Sequence, residues 1–561
     1  MELSPKRSIL KALRENPELL IDTLKRRGED PSIVYEAIEL DKTVRELRKK
    51  LDALRAERNK LNKMISKSVG EEKHKLIAKA RELSKRINEL ENELERVKRR
   101  LLYILLSLPN ILHPDVPVGE DENDNKPIRF RGKAKVYRPY LDEFLKQSEG
   151  RMEYEIIDRK PMGHADRTEY TGTADTIRAA KVAGSRFYYL LGDLVRLDLA
   201  LILYAMDRLT RKGFRPVIPP YMLRHNIYAG VTSVDVFRDA LYKIEDEDLY
   251  LIATSEHPLV GMFADEVIEK DELPILLLGV SPCFRKEAGA HGKDTKGIFR
   301  VHQFHKVEQI VFSLPEESRE RHERLIRNAE ELFQGLGLPY RVVDICTGDL
   351  GPVAARKYDL EVRMPAQGRF REMVSCSNVT DRQSFRLNIR YAEKRGHQTL
   401  GFVHTLNSTA IATSRAITAI IENYQDEEGV VEIPKALRPY LEPFPTAPKE
   451  YIRPIKKKLR PGAPEPGEIR VERRFYMDSD KKCVLFDIAL FLVFRAMGAL
   501  IIHFVLYGNP DVRSMVSQQP LNIFVVIVEV LYFLSLGKEP ITILYRTLFS
   551  LILFGVALKE K

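Results

Sequence analysis

Two rows of apolar residues organise the first hundred or so positions. Leu40, Val44, Leu47, Leu51, Leu54, Leu61 and Ile65 form one row, with Arg58 in the one place an apolar residue would continue it. Leu76, Ala80, Leu83, Ile87, Leu90, Leu94, Val97 and Leu101 form the other. Both advance in steps of four and three, which is the seam of a heptad repeat. The stretch SKSVGEEKH lies between them, with Gly70 as a helix breaker. Two helices joined by a short turn make an antiparallel coiled-coil hairpin. About 30 residues per helix at ~1.5 Å each predict an arm of roughly 45 Å. The outward positions alternate Lys, Arg and Glu, which fits either a solvated structural arm or a lever reaching along a large RNA.

The pattern then changes three times. Residues 1–110 are helical and charged; residues 111–190 are a mixed connector whose acidic DENDN reads as a surface loop. Residues 191–460 alternate strand-like and helical runs, so the fold class expected is α+β. Residues 461–561 begin with the linker PGAPEPGE and continue as three apolar stretches, 484–507, 521–536 and 541–558, interrupted by Asp487, Arg495, Glu529 and Arg546. A spanning helix wants about 20 apolar residues, and central charges are costly unless paired. Membrane helices and a buried helical appendage therefore compete, as does a shifted reading frame or a gene fusion. The expectation adopted is association with a membrane through 484–558. Lys456, Lys457, Lys458, Arg473, Arg474, Lys481 and Lys482 then place the preceding flank on the cytoplasmic side.

A chain of 561 residues is too long for one core. Its formal charge of +10 favours polyanionic partners such as RNA, DNA or an anionic membrane. Cys283, Cys346, Cys376 and Cys483 are far apart and form no C-x-x-C pair, which argues against a disulfide framework or a cysteine-rich zinc site and fits a reducing, cytoplasmic setting. The N-terminus has no apolar core of a signal peptide.

Five segments carry candidate chemistry. GFRPVIPPYML (213–223) reads as an edge strand that tolerates prolines. LYLIATSEHPLV (249–260) is a strand-like run placing Thr254 and Glu256 on one face, suited to a substrate ammonium, or else the capped start of a helix. SPCFRKEAGAHGKDTKGIFRVHQFHKVEQIVF (281–312) predicts a long hairpin, with Arg285 and Glu287 on one strand, Phe304 and Glu308 on the other, and a basic glycine-bearing loop able to cover a phosphate. In GRFREMVSCSN (368–378), Glu372 and Ser375 offer hard oxygen ligands of the kind Mg²⁺ takes beside phosphates. In HTLNSTAIATSRAITAIIENYQDEEGVVEIPKALRPYL (404–441), Thr409 precedes Arg415 at a strand-to-helix junction, where a buried arginine needs an anion, whether a ligand or a structural ion pair.

Taken in order over roughly residues 20–445, these segments resemble the seryl-tRNA synthetases, class II enzymes of the common zinc-free, archaeal-like type. The third and fifth segments resemble motifs 2 and 3 closely, and the first resembles motif 1, a dimer-interface element. The resemblance implies an N-terminal antiparallel coiled-coil hairpin, then an antiparallel β-sheet catalytic domain flanked by helices, then the apolar C-terminal helices. It implies activation of L-serine with ATP and transfer to serine-specific tRNA, with selenocysteine tRNA as a further substrate where a cell has one. A non-catalytic RNA-binding paralogue is the alternative; it should have lost Arg285, Glu372 or Arg415, and all three are present.

The same resemblance implies roles. Arg285 bridges the serine carboxylate and the α-phosphate, and Arg415 neutralises the distal phosphates. Glu372 and Ser375 hold Mg²⁺. Phe304 stacks on adenine and Glu287 reads its edge, with Lys286, Val301, Met373 and Val374 completing the ATP site. Thr254, Ser255 and Glu256 hold the amino group, while Glu308 and Thr409 hold the hydroxyl. The hairpin grips the long variable arm of the tRNA, and a homodimer is implied. One position departs: Arg363 stands where the family usually has tryptophan, a residue this chain lacks altogether.

Overall fold

The computed structural model describes residues 8–232, 240–287, 294 and 296–455. The apolar stretches within 484–558 and most of the basic loop, residues 288–293 and 295, lie outside these. Among the described residues no helix is long and apolar enough to cross a membrane.

Helices α1 (Ser32–Ile65) and α2 (Gly70–Ser107) form the arm, longer than the seam alone implied. Val44, Leu47, Leu51 and Leu61 of α1 and Leu83, Ile87, Leu94 and Leu101 of α2 are buried together. Three ion pairs cross the seam in antiparallel register, Arg55–Glu91 at 2.7 Å, Arg100–Glu36 at 2.7 Å and Lys79–Glu57 at 3.9 Å. Exposed pairs of this kind contribute about 0.2–1 kcal/mol, so the apolar seam holds the hairpin. Gly70 opens α2 at φ +66°, which an L side chain adopts at a cost of about 1–2 kcal/mol. The tip is bare, with Val69 84% exposed.

The body beyond the arm is built on one sheet of eight strands: β1 (Lys126–Arg131), β2 (Arg215–Val217), β3 (Ile275–Phe284), β4 (Gln303–Ser313), β5 (Tyr340–Asp344), β6 (Arg356–Met364), β7 (Arg369–Thr380) and β8 (His404–Ala412). Their order across the sheet is β1-β5-β6-β7-β8-β4-β3-β2. Every pairing is antiparallel except β2 with β3 at the edge. Strand β1 falls inside the stretch expected to be a connector, so the sheet reaches further toward the N-terminus than the apolar pattern implied.

Five helices complete the frame: α3 (Asp193–Thr210), α4 (Glu256–Gly261), α5 (Ser318–Gly335), α6 (Arg382–Leu387) and α7 (Thr413–Tyr424). Helices α3, α5 and α7 bury Leu197, Leu201, Tyr204, Leu325, Phe333, Ile417 and Ile420 against Val307 and Val311 of β4 and Leu360 and Val362 of β6. Strand residues alternate between faces. The positions between those core residues, such as Lys306 and Glu308, therefore point away from the helices and line a cavity.

Arg363 is wholly buried. Its guanidinium lies over Phe144 (5.1 Å) and Phe370 (5.6 Å) and donates to Gln147 Oε1 (2.9 Å) and the Gly368 carbonyl (2.8 Å). A planar cation thus fills an aromatic-sized slot by stacking. Burial first, and then Arg341, lower its pKa to about 10, which still leaves it charged at neutral pH.

Candidate active site

The end of β3, the turn before α4, β4, β7 and β8 converge on a cavity of about 520 Å³, within the usual range for a small-molecule site. Thr254, Glu256, Arg285, Glu287, Val301, Phe304, Glu308, Glu372, Met373, Ser375, Thr409 and Arg415 all line it. These are most of the residues singled out in the sequence. The expected residues Ser255, Lys286 and Val374 do not line it. Ser255 turns its hydroxyl onto Gly279, where an added Cβ would lie 2.3 Å from Ser255 Oγ. Val374 faces the helical core, and exposed Lys286 sits over the Tyr242 ring.

Two local geometries differ from the strand-face expectation. Thr254 and Glu256 do not share a strand: the strand Leu249–Leu251 ends first, and Glu256 opens α4. The rival helix-start reading is partly realised, since Thr254 Oγ1 accepts from the Glu256 amide at 3.3 Å. Likewise β3 stops at Phe284, and Glu287 adopts φ +51°. The chain must leave the sheet there, because the Lys286 amide donates to the Ala240 carbonyl rather than to β4. Glu287 instead accepts from Arg300 Nε at 2.5 Å.

At one end of the cavity, Lys306, Glu308, Thr254 and Thr409 form a closed polar set. Lys306 Nζ donates to Glu308 Oε2 (2.6 Å) and Thr254 Oγ1 (2.7 Å), while Thr409 Oγ1 donates to Glu308 Oε2 (3.2 Å). Glu308 is 2% exposed and Lys306 5%. A buried carboxylate needs such a partner. Glu256 adjoins this set. Burial and the Glu308 charge push its carboxyl up to about 7, against a hydrogen bond from Gln383 and the charges of Lys306 and Arg285. Neighbouring His257 is held neutral, with burial, Lys306 and Arg285 lowering its pKa to about 3.

Arg285 and Arg415 both line the cavity and are framed by different partners. Arg285 Nε donates to the Ala253 carbonyl (3.2 Å) and its guanidinium lies 5.4 Å from the Phe304 ring centre. Arg415 Nη1 donates to the Glu372 carbonyl (2.9 Å), lies 3.3 Å from Glu372 Oε1 and sits over Phe299. Burial pushes the Glu372 carboxyl up, but Arg415, Lys357 and Arg285 outweigh it and hold the carboxyl below its usual range.

Glu372 and Ser375 are three apart, so a regular strand would send them to opposite faces. Between β6 and β7 the register shifts: Leu360 faces Val374 but Glu361 faces Glu372, leaving Met373 as an extra residue. This bulge brings both oxygens into the cavity. Beside them Asp359 is buried, with Oδ1 lacking a hydrogen-bond partner among the described residues. A second shift, at Ala410, seats Thr409 opposite Glu308.

Several lining residues were not anticipated. Lys306 had a signal, since it alternates with Phe304 and Glu308 on β4. Phe299, Lys357 and Asn407 also line the cavity, and Gln383 reaches Glu256 from behind. No spacing in the sequence announces these.

Comparison with known proteins agrees with this frame. Residues 242–424 match the tRNA synthetase class II core domain (G, H, P, S and T), and residues 10–112 match the seryl-tRNA synthetase N-terminal domain. A serine--tRNA ligase of Archaeoglobus fulgidus is 60% identical over 449 residues, 80% of this chain and 99% of that protein. The crystal structure of seryl-tRNA synthetase from Pyrococcus horikoshii complexed with ATP is similar with a TM-score of 0.76 at 59% identity, covering 80% of this chain and 99% of that one. The cytoplasmic serine-tRNA ligase from Naegleria fowleri in complex with AMP gives a TM-score of 0.69 at 37% identity, covering 79% and 98%. With 98–99% of the length of these relatives matched, the chain belongs to the seryl-tRNA synthetase family.

Proposed function

We propose that this chain is an ATP-dependent serine--tRNA ligase and that the 520 Å³ cavity is where serine and ATP react. The observation that carries the reading is the convergence of Arg285, Arg415, Glu372, Glu308 and Thr409, drawn from four separate stretches of chain, on one space. The relatives, serine--tRNA ligases at 55–60% identity, support the same activity.

In the first step a serine carboxylate oxygen attacks the α-phosphorus and pyrophosphate leaves; in the second a hydroxyl of the tRNA 3′ end attacks the seryl carbonyl and AMP leaves. Neither needs a covalent enzyme intermediate, so the residues position the reactants and balance charge. Arg285 is fixed by its Nε bond and by stacking, which leaves its Nη donors for serine carboxylate and α-phosphate together. Arg415 takes the distal phosphates. Thr254 and Glu256 hold the ammonium; Glu308 and Thr409 hold the serine hydroxyl. The adenine lies at the Phe304 end, beside Val301, Met373 and Glu287. The carboxylate of Glu372 and the hydroxyl of Ser375, turned to one face by the bulge beside an unpartnered Asp359 oxygen, are the hard oxygens suited to Mg²⁺, which when bound would neutralise phosphate charge.

The arm would take the long variable arm of serine-specific tRNA by backbone contacts. A homodimer is supported by an exposed apolar stripe on α3 (Val195, Leu199 and Leu203) beside edge strand β2, followed by exposed Ile218 and Met222. The reading of residues 484–558 as membrane-associated rests on their composition, and cell fractionation with and without residues 470–561 tests it. The central test is serine-dependent exchange of pyrophosphate into ATP. The parent should exchange, and Arg285→Ala should lose about 10²–10³-fold or more. An Arg285→Ala enzyme as fast as the parent would remove the assigned role.

A further inference from the structure

Helix α6 has no part in the roles above, yet it carries a buried amide that ends on Glu256, a residue lining the cavity. Gln383 is 1% exposed. Its Nε2 donates to Glu256 Oε1 (2.7 Å) and to the Val231 carbonyl (3.1 Å), and its Oε1 accepts from Thr405 Oγ1 (2.6 Å). The amide has one chemically sensible orientation. Flipped, its oxygen would face a carboxylate and a carbonyl, neither of which can donate when Glu256 is ionised.

The helix bearing it is pinned. Arg382 Nη1 donates to the Leu108 carbonyl and Arg386 Nη2 to the Leu106 carbonyl, at the C-terminal end of α2. Those carbonyls have no partner within α2, so the arginines cap it where its dipole favours cations. Arg386 Nη1 also donates to the Ala229 carbonyl (3.2 Å). Gln383 therefore approaches Glu256 from a platform fixed on both sides.

We infer that Gln383 is a positioning residue of the amino-acid pocket, whose amide aims the Glu256 carboxylate at the ammonium of the bound amino acid. This rests on reading Glu256 as the ammonium ligand. Gln383 is the one hydrogen-bond donor to the Glu256 carboxylate among the described residues. The charged or titratable groups facing Glu256 are Glu308 and Lys306 on β4, Arg285 beyond β3, His257 on α4 itself, and Tyr228 on the helix His225–Val231 packed against α4. Burial and Glu308 push Glu256 up to about 7; the Gln383 bond is the largest influence in the other direction, ahead of Lys306 and Arg285. Hydrogen bonds to the ionised form favour that form. Without this amide the carboxyl protonates at higher pH and loses its aim.

The experiment measures KM for serine and for ATP in pyrophosphate exchange, from pH 6 to 8.5, on the full chain. The parent's serine KM should fall as pH rises through about 7. In Gln383→Met, near in size but without donors, serine KM at pH 7 should rise about ten- to hundredfold. ATP KM should stay within about twofold. The inflection should move alkaline, so the defect shrinks toward pH 8.5. Thr405→Val, which loosens the amide from behind, should move both quantities the same way by less, and it decides the matter if Gln383→Met does not fold. An unchanged serine KM and inflection in both variants would overturn the inference. So would a parallel loss in kcat and both KM values at a fixed inflection, which marks packing alone. Glu256→Gln separates the two levels: if it leaves serine KM unchanged, the reading of Glu256 falls and this inference with it. If it is crippling while Gln383→Met behaves as the parent, the inference alone falls.

Discussion

At the scale of single residues, the cavity pairs each buried charge with a specific answer. Lys306 lies between Thr254 and the carboxylates of Glu308 and Glu256, so removing it leaves two acids with one proton to share. Lys306→Met is expected to raise serine KM about tenfold or more while ATP KM changes little, measured side by side in pyrophosphate exchange. The Thr409 hydroxyl donates to Glu308 and, on the proposed reading, meets the serine hydroxyl. A pocket built for a hydroxyl penalises alanine because its own polar groups would stay unpaired. Thr409→Val should therefore reduce the ratio of kcat/KM for serine over alanine by about ten- to hundredfold. A ratio equal to the parent's would place hydroxyl recognition elsewhere. Most of these residues were legible as types in motifs, because Arg285, Arg415 and Glu372 sit in dense local patterns. Gln383 was not, because its partners Glu256 and Val231 are 127 and 152 residues away and no local pattern encodes such a meeting.

At the scale of elements, two bulges and one hairpin do the arranging. Sequence alternation puts Phe304, Lys306 and Glu308 on one side of β4, and the structure agrees. Alternation also says that Glu372 and Ser375 diverge; the extra Met373 in β7 reverses that. A bulge leaves no mark in a single sequence, since the same residues would read as an unbroken strand. The arm is the opposite case: its heptad rows are local, and both helices form where the rows lie. The residues flanking the arm and the end of α2 touch the catalytic body, through Arg27 to the Gly351 carbonyl (2.7 Å), Asn110 to the Val353 carbonyl (2.9 Å), and the two arginines of α6. Replacing residues 52–90 with a short Gly-Ser turn spares those contacts. Pyrophosphate exchange should stay within about twofold of the parent, while aminoacylation of serine-specific tRNA should fall about a hundredfold or more. Equal loss of both reactions would mean that the arm supports the fold rather than the RNA.

At the scale of the whole molecule, the exposed stripe on α3 is an apolar surface with a regular four-residue step and no cover among the described residues. Leu199→Glu should halve the mass seen by sedimentation at micromolar protein if that stripe is the subunit contact, and an unchanged mass would move the contact to another face. The sequence by itself determined the parts whose causes are local: the heptad hairpin, the alternation of the strands, the order of the motifs and hence the family, and the apolar character of the stretches within 484–558. Tertiary structure alone decided that β1 belongs to the catalytic sheet, that Glu256 begins a helix, that Ser255 and Val374 turn away from the cavity, and that Gln383 meets Glu256. The physical reason is one of range. Hydrophobic period and helix breaking act over a few residues and are written where they act, whereas register shifts, buried hydrogen bonds and charge pairing depend on which separate segments come to lie side by side, and become definite only when packing brings those segments together.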